Sequence, residues 1–212
     1  MSDLFEVSSE QERKKDEPLA ARMRPATLDE VIGQKHIIGK DKLLYRAIKA
    51  DQISSIIFYG PPGTGKTTLA KVIANSTSAD FEQVNATIAG KKDLELIVEK
   101  AKENFAQYSK KTILFIDEIH RLDRSVEEIL YPAMEDFVID IMIGKGASAR
   151  SIRLDLPKFT LVGAATRAGM LTAPLRDRFG VVTRMEYYTV EELKMIILRS
   201  AKVLEVGIEE NG

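Results

Sequence analysis

One short segment combines glycines, a lysine and a threonine in an order suited to binding phosphate. Residues 60–67 read GPPGTGKT, which matches the pattern G-x-x-x-x-G-K-[ST] between an apolar run and a helix-like stretch. Glycines let consecutive backbone N–H groups surround a phosphate, and the N-terminus of the following helix adds partial positive charge. The Lys66 ammonium suits the β- and γ-phosphate oxygens, and the Thr67 hydroxyl suits Mg²⁺. We predict that ATP is bound by Gly60, Pro61, Pro62, Gly63, Thr64, Gly65, Lys66, Thr67 and Thr68.

Two adjacent carboxylates, Asp117 and Glu118, end another apolar run. In an open parallel sheet, ligands lie at the carboxyl ends of the strands. We therefore predict that Asp117 holds Mg²⁺ through its waters and that Glu118 polarises the water that attacks the γ-phosphate. Taken alone, such a pair is more often the start of a solvated loop, and it is the phosphate-binding segment that favours the catalytic interpretation.

A threonine and two arginines further along the chain are also candidates. Thr166 follows an apolar run, where its hydroxyl could bond the γ-phosphate or equally well satisfy a backbone group. Arg176 and Arg178 flank Asp177, and a surface salt bridge with that carboxylate is the simpler explanation for either one. The alternative is an arginine finger delivered to the γ-phosphate of a neighbouring subunit, which requires an oligomer.

Five apolar runs predict the strands that position these groups. Runs of four to six residues without alternation are typical of strands buried on both faces of a parallel sheet. The predicted strands are Ile56–Tyr59, Phe81–Val84, Thr112–Ile116, Phe159–Ala164 and Val181–Met185, and the helix-like stretches between them are Lys66–Ser76, Lys92–Ala106 and Val126–Glu135. This alternation indicates an α/β fold built from βαβ units.

The segment Phe137–Leu156 interrupts that order. Two partly alternating stretches flank residues 144–148, which contain two glycines and a serine, and this pattern predicts an inserted β-hairpin. We predict a flexible charged tail over residues 1–17 and a core domain over residues 18–187. Residues 188–212, with a helix at Val190–Leu204, are expected to be the incomplete beginning of a second domain, because one helix cannot bury its own apolar face.

The composition excludes several classes of protein. With 31 basic and 32 acidic residues the net charge is −1, so bulk charge does not indicate a nucleic-acid partner. The absence of cysteine excludes disulfides and thiolate zinc sites. No apolar run approaches the ~18 residues of a membrane span, and the polar N-terminal segment does not resemble a signal peptide. We therefore expect a cytoplasmic protein without a membrane partner.

Taken together, GPPGTGKT, FIDEIH, the threonine after a strand and LRDRF resemble the AAA+ ATPases. The resemblance implies a P-loop NTPase core with a five-stranded parallel sheet, a helical lid that begins near residue 188, and a homo-oligomeric ring with ATP and Mg²⁺ at subunit interfaces. The stretch RMRPATLDEVIGQKHIIG resembles the segment that borders the adenine in this group. That match implies that the base is contacted by Arg24, Pro25, Ile32 and Gly33.

Two narrower resemblances divide the chain near residue 122. Residues up to about 122 resemble the MgsA/RarA replication-associated recombination ATPases, and residues from about 123 onward resemble RuvB, the Holliday-junction branch-migration motor. The stretch VNATIAGKKD departs from the RuvB pattern, and a RuvB chain is expected to continue beyond residue 212 into a full lid with a second sensor arginine and a winged-helix domain.

The RuvB resemblance assigns specific roles. It implies that Thr166 is the sensor threonine, that Arg178 is the arginine finger, and that the substrate is branched DNA such as a Holliday junction. It also implies that a RuvA-like partner binds the hairpin Phe137–Leu156, with Ile141 and Ile143 as contacts. The expected function is an ATPase subunit of a branch-migration ring. The alternatives are a fork-associated ATPase of MgsA/RarA type and a nucleotide-gated binding module without productive turnover.

Overall fold

A computed structural model describes residues 18–143 and 150–208. The predicted tail, residues 1–17, and the centre of the predicted hairpin, residues 144–149, lie outside the described residues. Within the chain, contacts separate one unit, Gln34–Tyr187, from a second unit that combines Met1–Gly33 with Tyr188–Gly212.

The first unit is built around a five-stranded parallel sheet. Its strands are β1 (Ile56–Tyr59), β2 (Asp80–Asn85), β3 (Thr112–Asp117), β6 (Phe159–Ala165) and β7 (Val181–Arg184), with β4 and β5 described below as a separate pair. The order in the sheet is β2-β3-β6-β1-β7. All five predicted strands are confirmed, with ends that differ by one residue at most.

Helices connect these strands. Within the described residues the helices are α1 (Leu19–Arg22), α2 (Lys35–Ile38), α3 (Leu43–Lys49), α4 (Lys66–Ser76), α5 (Lys91–Tyr108), α6 (Arg124–Glu135), α7 (Ala173–Arg176) and α8 (Val190–Leu204). Short 3₁₀ turns occur at Leu28–Glu30, Ile119–Arg121 and Ala168–Met170. The α/β fold class is confirmed.

The central strands explain why the sequence lacks alternation there. Ile56, Ile57 and Phe58 of β1 are all completely buried, and so is Phe115 of β3. Both faces of these strands are covered, so consecutive side chains are apolar rather than alternating. Gly163 of β6 provides the space for Ile119, whose Cδ1 lies only 2.8 Å from the position of a Cβ at that glycine. The 3₁₀ turn that follows β3 therefore packs tightly onto the sheet.

The predicted hairpin is confirmed as an antiparallel pair of β4 (Val138–Ile143) and β5 (Arg150–Asp155). The register runs from Val138 opposite Asp155 to Ile143 opposite Arg150. On this pair Arg153 Nε lies 3.2 Å from Asp140 Oδ1. The hairpin forms its own two-stranded sheet and does not extend the central one.

The second unit contains α1, the 3₁₀ turn Leu28–Glu30 and α8. The predicted helix Val190–Leu204 is confirmed, and it starts with a capping box formed by Thr189 and Glu192. Arg199 of this helix donates hydrogen bonds to the carbonyl of Met23 at 2.6 Å and to Glu30 Oε2 at 2.6 Å. These bonds link the two chain segments of the unit. The predicted domain boundaries remain a prediction.

Across residues 18–143 and 150–208, every helix is too short or too polar to cross a bilayer.

Candidate active site

The phosphate-binding segment forms the loop between β1 and α4. Gly65 precedes the first turn of α4 with a left-handed φ of 87°, and Gly63 has a φ of 79°. These conformations favour glycine. The buried Thr64 hydroxyl donates to the carbonyl of Pro61 at 3.0 Å and closes the loop. Thr67 and Thr68 lie in the first turn of α4, so backbone N–H groups and two hydroxyls are available at this helix N-terminus.

Gly60 is expected to tolerate no side chain. A Cβ at this residue would lie 2.3 Å from the carbonyl oxygen of Met185, in a backbone with a φ of +149°. The Gly60→Ala change should lower the free energy of unfolding by about 1–3 kcal/mol because the ends of β1 and β7 must separate. Urea unfolding measures this, with Gly169→Ala as the control because a Cβ there meets no atom within 4 Å. Equal stability of the two variants would contradict the expectation.

Lys66 folds back along the loop. Its Nζ donates to the carbonyls of Gly60 at 2.9 Å and Pro61 at 2.7 Å. Burial lowers the pKa of Lys66, while the negative charges of Asp117 and Glu118 act in the opposite direction. Both carboxylates are therefore within electrostatic range of the ammonium. The structure brings together the lysine and the two acids that the sequence analysis singled out.

Asp117 and Glu118 occupy different conformations at the end of β3. Asp117 is the last residue of the strand, and its Oδ1 accepts a hydrogen bond from the Glu118 N–H at 3.0 Å. Glu118 has a left-handed φ of 53°, which is uncommon for a residue with a side chain. The left-handed residue turns the chain out of the sheet and into the 3₁₀ turn Ile119–Arg121.

His120 is a site residue for which the sequence favours a packed or surface role over a metal site, because no cluster of histidines or cysteines accompanies it. Its side chain is only 1% exposed, and its Nε2 lies 3.4 Å from Glu118 Oε2. Arg121 Nε lies 3.8 Å from the same carboxylate oxygen. A buried imidazole beside the predicted water-polarising carboxylate restricts where that carboxylate can point. The only available sequence signal was the position of His120 two residues after Glu118.

Thr166 lies on a cleft beside the phosphate-binding loop. The cleft has a volume of about 770 Å³. It is lined by Tyr59, Gly60, Pro61, Pro62, His120, Arg121, Thr166, Arg167, Gly169, Met170 and Arg184. Adjacent pairing of β1 and β6 brings the loop and Thr166 together, because both follow the carboxyl ends of these strands. The geometry thus joins the threonine to the phosphate-binding loop.

Arg178 is held by contacts with residues of α6 and α7. Its Nη1 donates to the carbonyl of Pro174 at 2.6 Å, and its Nη2 lies 2.9 Å from Glu135 Oε1. Arg176, in contrast, forms an exposed ion pair with Asp177 at 3.6 Å. The simple salt-bridge interpretation therefore describes Arg176, whereas Arg178 has other partners. Arg178 is not among the described residues that line the cleft.

The residues predicted to border the adenine belong to the second unit. They are Arg24, Pro25, Ile32 and Gly33. Gly33 has a φ of +79°, and a Cβ there would lie 3.0 Å from the ring of Tyr188 in the same unit. Contact of these residues with the base remains a prediction.

The donors available for Mg²⁺ are the Thr67 hydroxyl and the Asp117 carboxylate. Within the described residues there is no group of three or more histidine, cysteine or acidic side chains suited to holding a metal. One hydroxyl and one carboxylate nevertheless fit Mg²⁺, which commonly takes few protein ligands and completes its shell with water and substrate phosphates. The ion is therefore expected to bind together with the nucleotide.

Comparison with known proteins gives a consistent result. The family model described as the Holliday junction DNA helicase RuvB P-loop domain matches residues 23–185. That match continues across residue 122, near which the sequence resemblance divides.

Solved structures of Thermotoga maritima RuvB are also similar to this chain. The structure titled as the RuvB Holliday junction branch migration motor is 39% identical, with a TM-score of 0.71 over 88% of this chain and 56% of that one. A mutant form is 40% identical, with a TM-score of 0.71 over 88% of this chain and 57% of that one. A second mutant form is 39% identical, with a TM-score of 0.73 over 89% and 57% of the two chains. The chain thus spans little more than half the length of these RuvB structures.

Proposed function

This chain belongs to the RuvB family of P-loop ATPase domains, and on that basis we propose that it hydrolyses ATP within a ring that drives branch migration of Holliday junctions. The observation that supports this most directly is the cleft shared by the phosphate-binding loop, His120 and Thr166. A module that only bound nucleotide would need the phosphate-binding loop but would not need Glu118 and Thr166 as well. We expect the ring to be homo-oligomeric and cytoplasmic.

The proposed chemistry is the in-line attack of water on the γ-phosphate. Glu118 accepts the proton of the attacking water, a bond forms between the water oxygen and phosphorus, and the bond to the bridging oxygen of ADP breaks. Lys66 neutralises charge on the β- and γ-phosphate oxygens, and Thr166 orients the water or a γ-phosphate oxygen. Mg²⁺ held by Thr67 and Asp117 would stabilise charge on the phosphates. Arg178 is proposed to act on the ATP of the neighbouring subunit.

The left-handed backbone at Glu118 supports its role as the base. Asp117 ends the strand and Glu118 begins the turn that follows it, and in this proposal Asp117 serves the metal while Glu118 serves the water. Glu118 Oε2 lies 3.4 Å from His120 Nε2 and 3.8 Å from Arg121 Nε, and these neighbours limit where the Glu118 side chain can point. A residue in a sparsely populated backbone region costs about 1–3 kcal/mol and is often found at functional sites.

The hairpin is the proposed docking site for a RuvA-like partner. The side chains of Ile141 and Ile143, the predicted contacts, lie outside what the structure describes. Ile152, which pairs with Ile141 across the hairpin, is 44% exposed, and sequence reasoning did not single it out. Cross-strand neighbours share one face of a hairpin. Ile152 is therefore added to the proposed contact surface. Branched DNA as the substrate is likewise a proposal taken from the family.

Aspartate substitutions on the hairpin test this partner. The double variant Ile141→Asp with Ile152→Asp should bind a RuvA protein about 100-fold or more weakly, because burial of an isoleucine contributes about 1.5–3 kcal/mol. The matched control is Ser151→Asp, an exposed position one residue along the strand and therefore on the opposite face. Titration calorimetry gives the affinities. Unchanged affinity of the folded double variant, or no binding by the unaltered chain, would refute the proposed docking site.

A further inference from the structure

Helix α6 presents three functional groups in a line. Glu127, Tyr131 and Glu135 are spaced four residues apart, so they lie one above another on a single face of the helix. We call these three residues the α6 ladder. None of them was singled out by sequence reasoning, and none lines the cleft beside the phosphate-binding loop.

The lower end of the ladder is a buried carboxylate. Glu127 is only 5% exposed, and its Oε1 accepts hydrogen bonds from the hydroxyls of Tyr131 and Thr172. Thr172 is also the N-cap of α7, where its side chain accepts a hydrogen bond from the backbone N–H of Leu175. Since removing one partner of a buried carboxylate is costly, this arrangement fixes both the tyrosine ring and the start of α7.

The upper end of the ladder holds the guanidinium of Arg178. The guanidinium carbon lies 4.3 Å from the centroid of the Tyr131 ring, and Glu135 Oε1 lies 2.9 Å from Nη2. The Pro174 carbonyl accepts from Nη1. The ring fixes the plane of the guanidinium, and the carboxylate and carbonyl fix its rotation within that plane. With the side chain 23% exposed, Arg178 is oriented rather than free to sample many rotamers.

We propose that Tyr131 and Glu135 are positioning residues that preorganise Arg178 for the γ-phosphate of the neighbouring subunit. This inference rests on the proposed action of Arg178 across the subunit interface. Preorganised charge stabilises a transition state without reorganisation at the moment of reaction, and a displacement of about 1 Å can cost about 100-fold in rate. The buried Glu127 supports Tyr131 from below. The ladder thus acts through Arg178 and touches no substrate.

Mixed rings test this inference. A donor subunit carrying Lys66→Ala cannot use its own ATP but still offers Arg178, and an acceptor subunit carrying Arg178→Ala has an intact phosphate-binding loop. Mixing the two should restore ATP turnover at donor–acceptor interfaces. Adding Tyr131→Leu or Glu135→Gln to the donor should lower the kcat of the mixture by about 3- to 10-fold, the range expected for loss of a cation–π contact or an ion pair. The KM for ATP should not change, because the nucleotide loop lies on the acceptor.

The conservative variant and the melting temperature separate positioning from folding. Tyr131→Phe on the donor keeps the ring face under the guanidinium and should restore most of the kcat lost in Tyr131→Leu. If Tyr131→Leu lowers the melting temperature strongly, Glu135→Gln decides, because the Glu135 side chain is 54% exposed and carries little of the core.

Three results would overturn the inference. The first of them would also refute the proposed action of Arg178 across the subunit interface. If donor and acceptor subunits without any ladder substitution show no ATP turnover on mixing, Arg178 does not act across the interface. If they do complement but both ladder substitutions leave kcat unchanged, the positioning role alone fails. The positioning role also fails if the ladder substitutions lower kcat as much on the acceptor as on the donor. The acceptor lacks Arg178, so an equal loss would indicate a general structural effect.

Discussion

Replacing Glu118 with glutamine should lower ATP turnover by about 10²- to 10⁴-fold while ATP still binds. The amide has nearly the shape of the carboxylate but cannot accept the proton of the attacking water. The backbone at residue 118 and the position of His120 should be preserved, because the substitution changes only the terminal group. Phosphate release measures turnover, and fluorescence of a labelled ATP analogue measures binding.

The control for this variant is Glu128→Gln. Glu128 lies on α6, its side chain is 60% exposed, and it pairs with Arg124 of the same helix. Its neutralisation is expected to leave turnover within about twofold, because an exposed pair four residues apart contributes about 0.3–0.5 kcal/mol. If Glu118→Gln hydrolyses ATP at the unaltered rate, the assignment of Glu118 as the base is wrong.

Replacing Arg178 with alanine should lower the kcat of the assembled ring by about 10³- to 10⁵-fold, the effect of an arginine finger. The KM for ATP should change little, because the phosphate-binding loop of each subunit is intact. Steady-state kinetics at protein concentrations that maintain the ring measures both constants. Arg176→Ala is the matched control, since Arg176 is two residues away and forms an exposed pair with Asp177.

A structural role for Arg178 must be separated from a role across the interface. Within its own subunit the residue contacts Tyr131, Glu135 and Pro174, so Arg178→Ala is also expected to lower stability by about 1–2 kcal/mol. That loss would occur in monomers and rings alike. If rings that mix Arg178→Ala with Lys66→Ala subunits are no faster than rings of Arg178→Ala alone, the role across the interface is refuted.

Much of the fold follows from local patterns in the chain. Each of the five central strands is an apolar run whose predicted ends lie within one residue of the observed ones. The helix Lys66–Ser76 was predicted with its observed bounds because Gly65 and the apolar pattern mark its start and extent. The hairpin was predicted from partial alternation around glycines. These signals depend on the spacing of residue types over a few positions. At that range the geometry of a strand or helix determines which positions are apolar.

The phosphate-binding loop was predictable for a similar reason. Its glycines, lysine and threonine are consecutive, and the loop binds phosphate largely through its own backbone. Asp117 and Glu118 became candidates because they follow a strand in a chain that also contains this loop. Nothing in that local pattern indicated that Glu118 adopts a left-handed conformation or that it meets His120.

The remaining features depend on which distant segments meet. Glu127 and Glu128 are adjacent residues of the same type. Glu127 is nevertheless buried against Thr172, whereas Glu128 is exposed to solvent. Likewise, the choice between Arg176 and Arg178 depends on α6 packing beside α7, which places only Arg178 over Tyr131. Residue type and spacing therefore specified the strands, the phosphate loop and the pair of acids. The partners of those acids and of the arginine arose from contacts between segments far apart in the chain, because burial and distance are properties of the folded molecule.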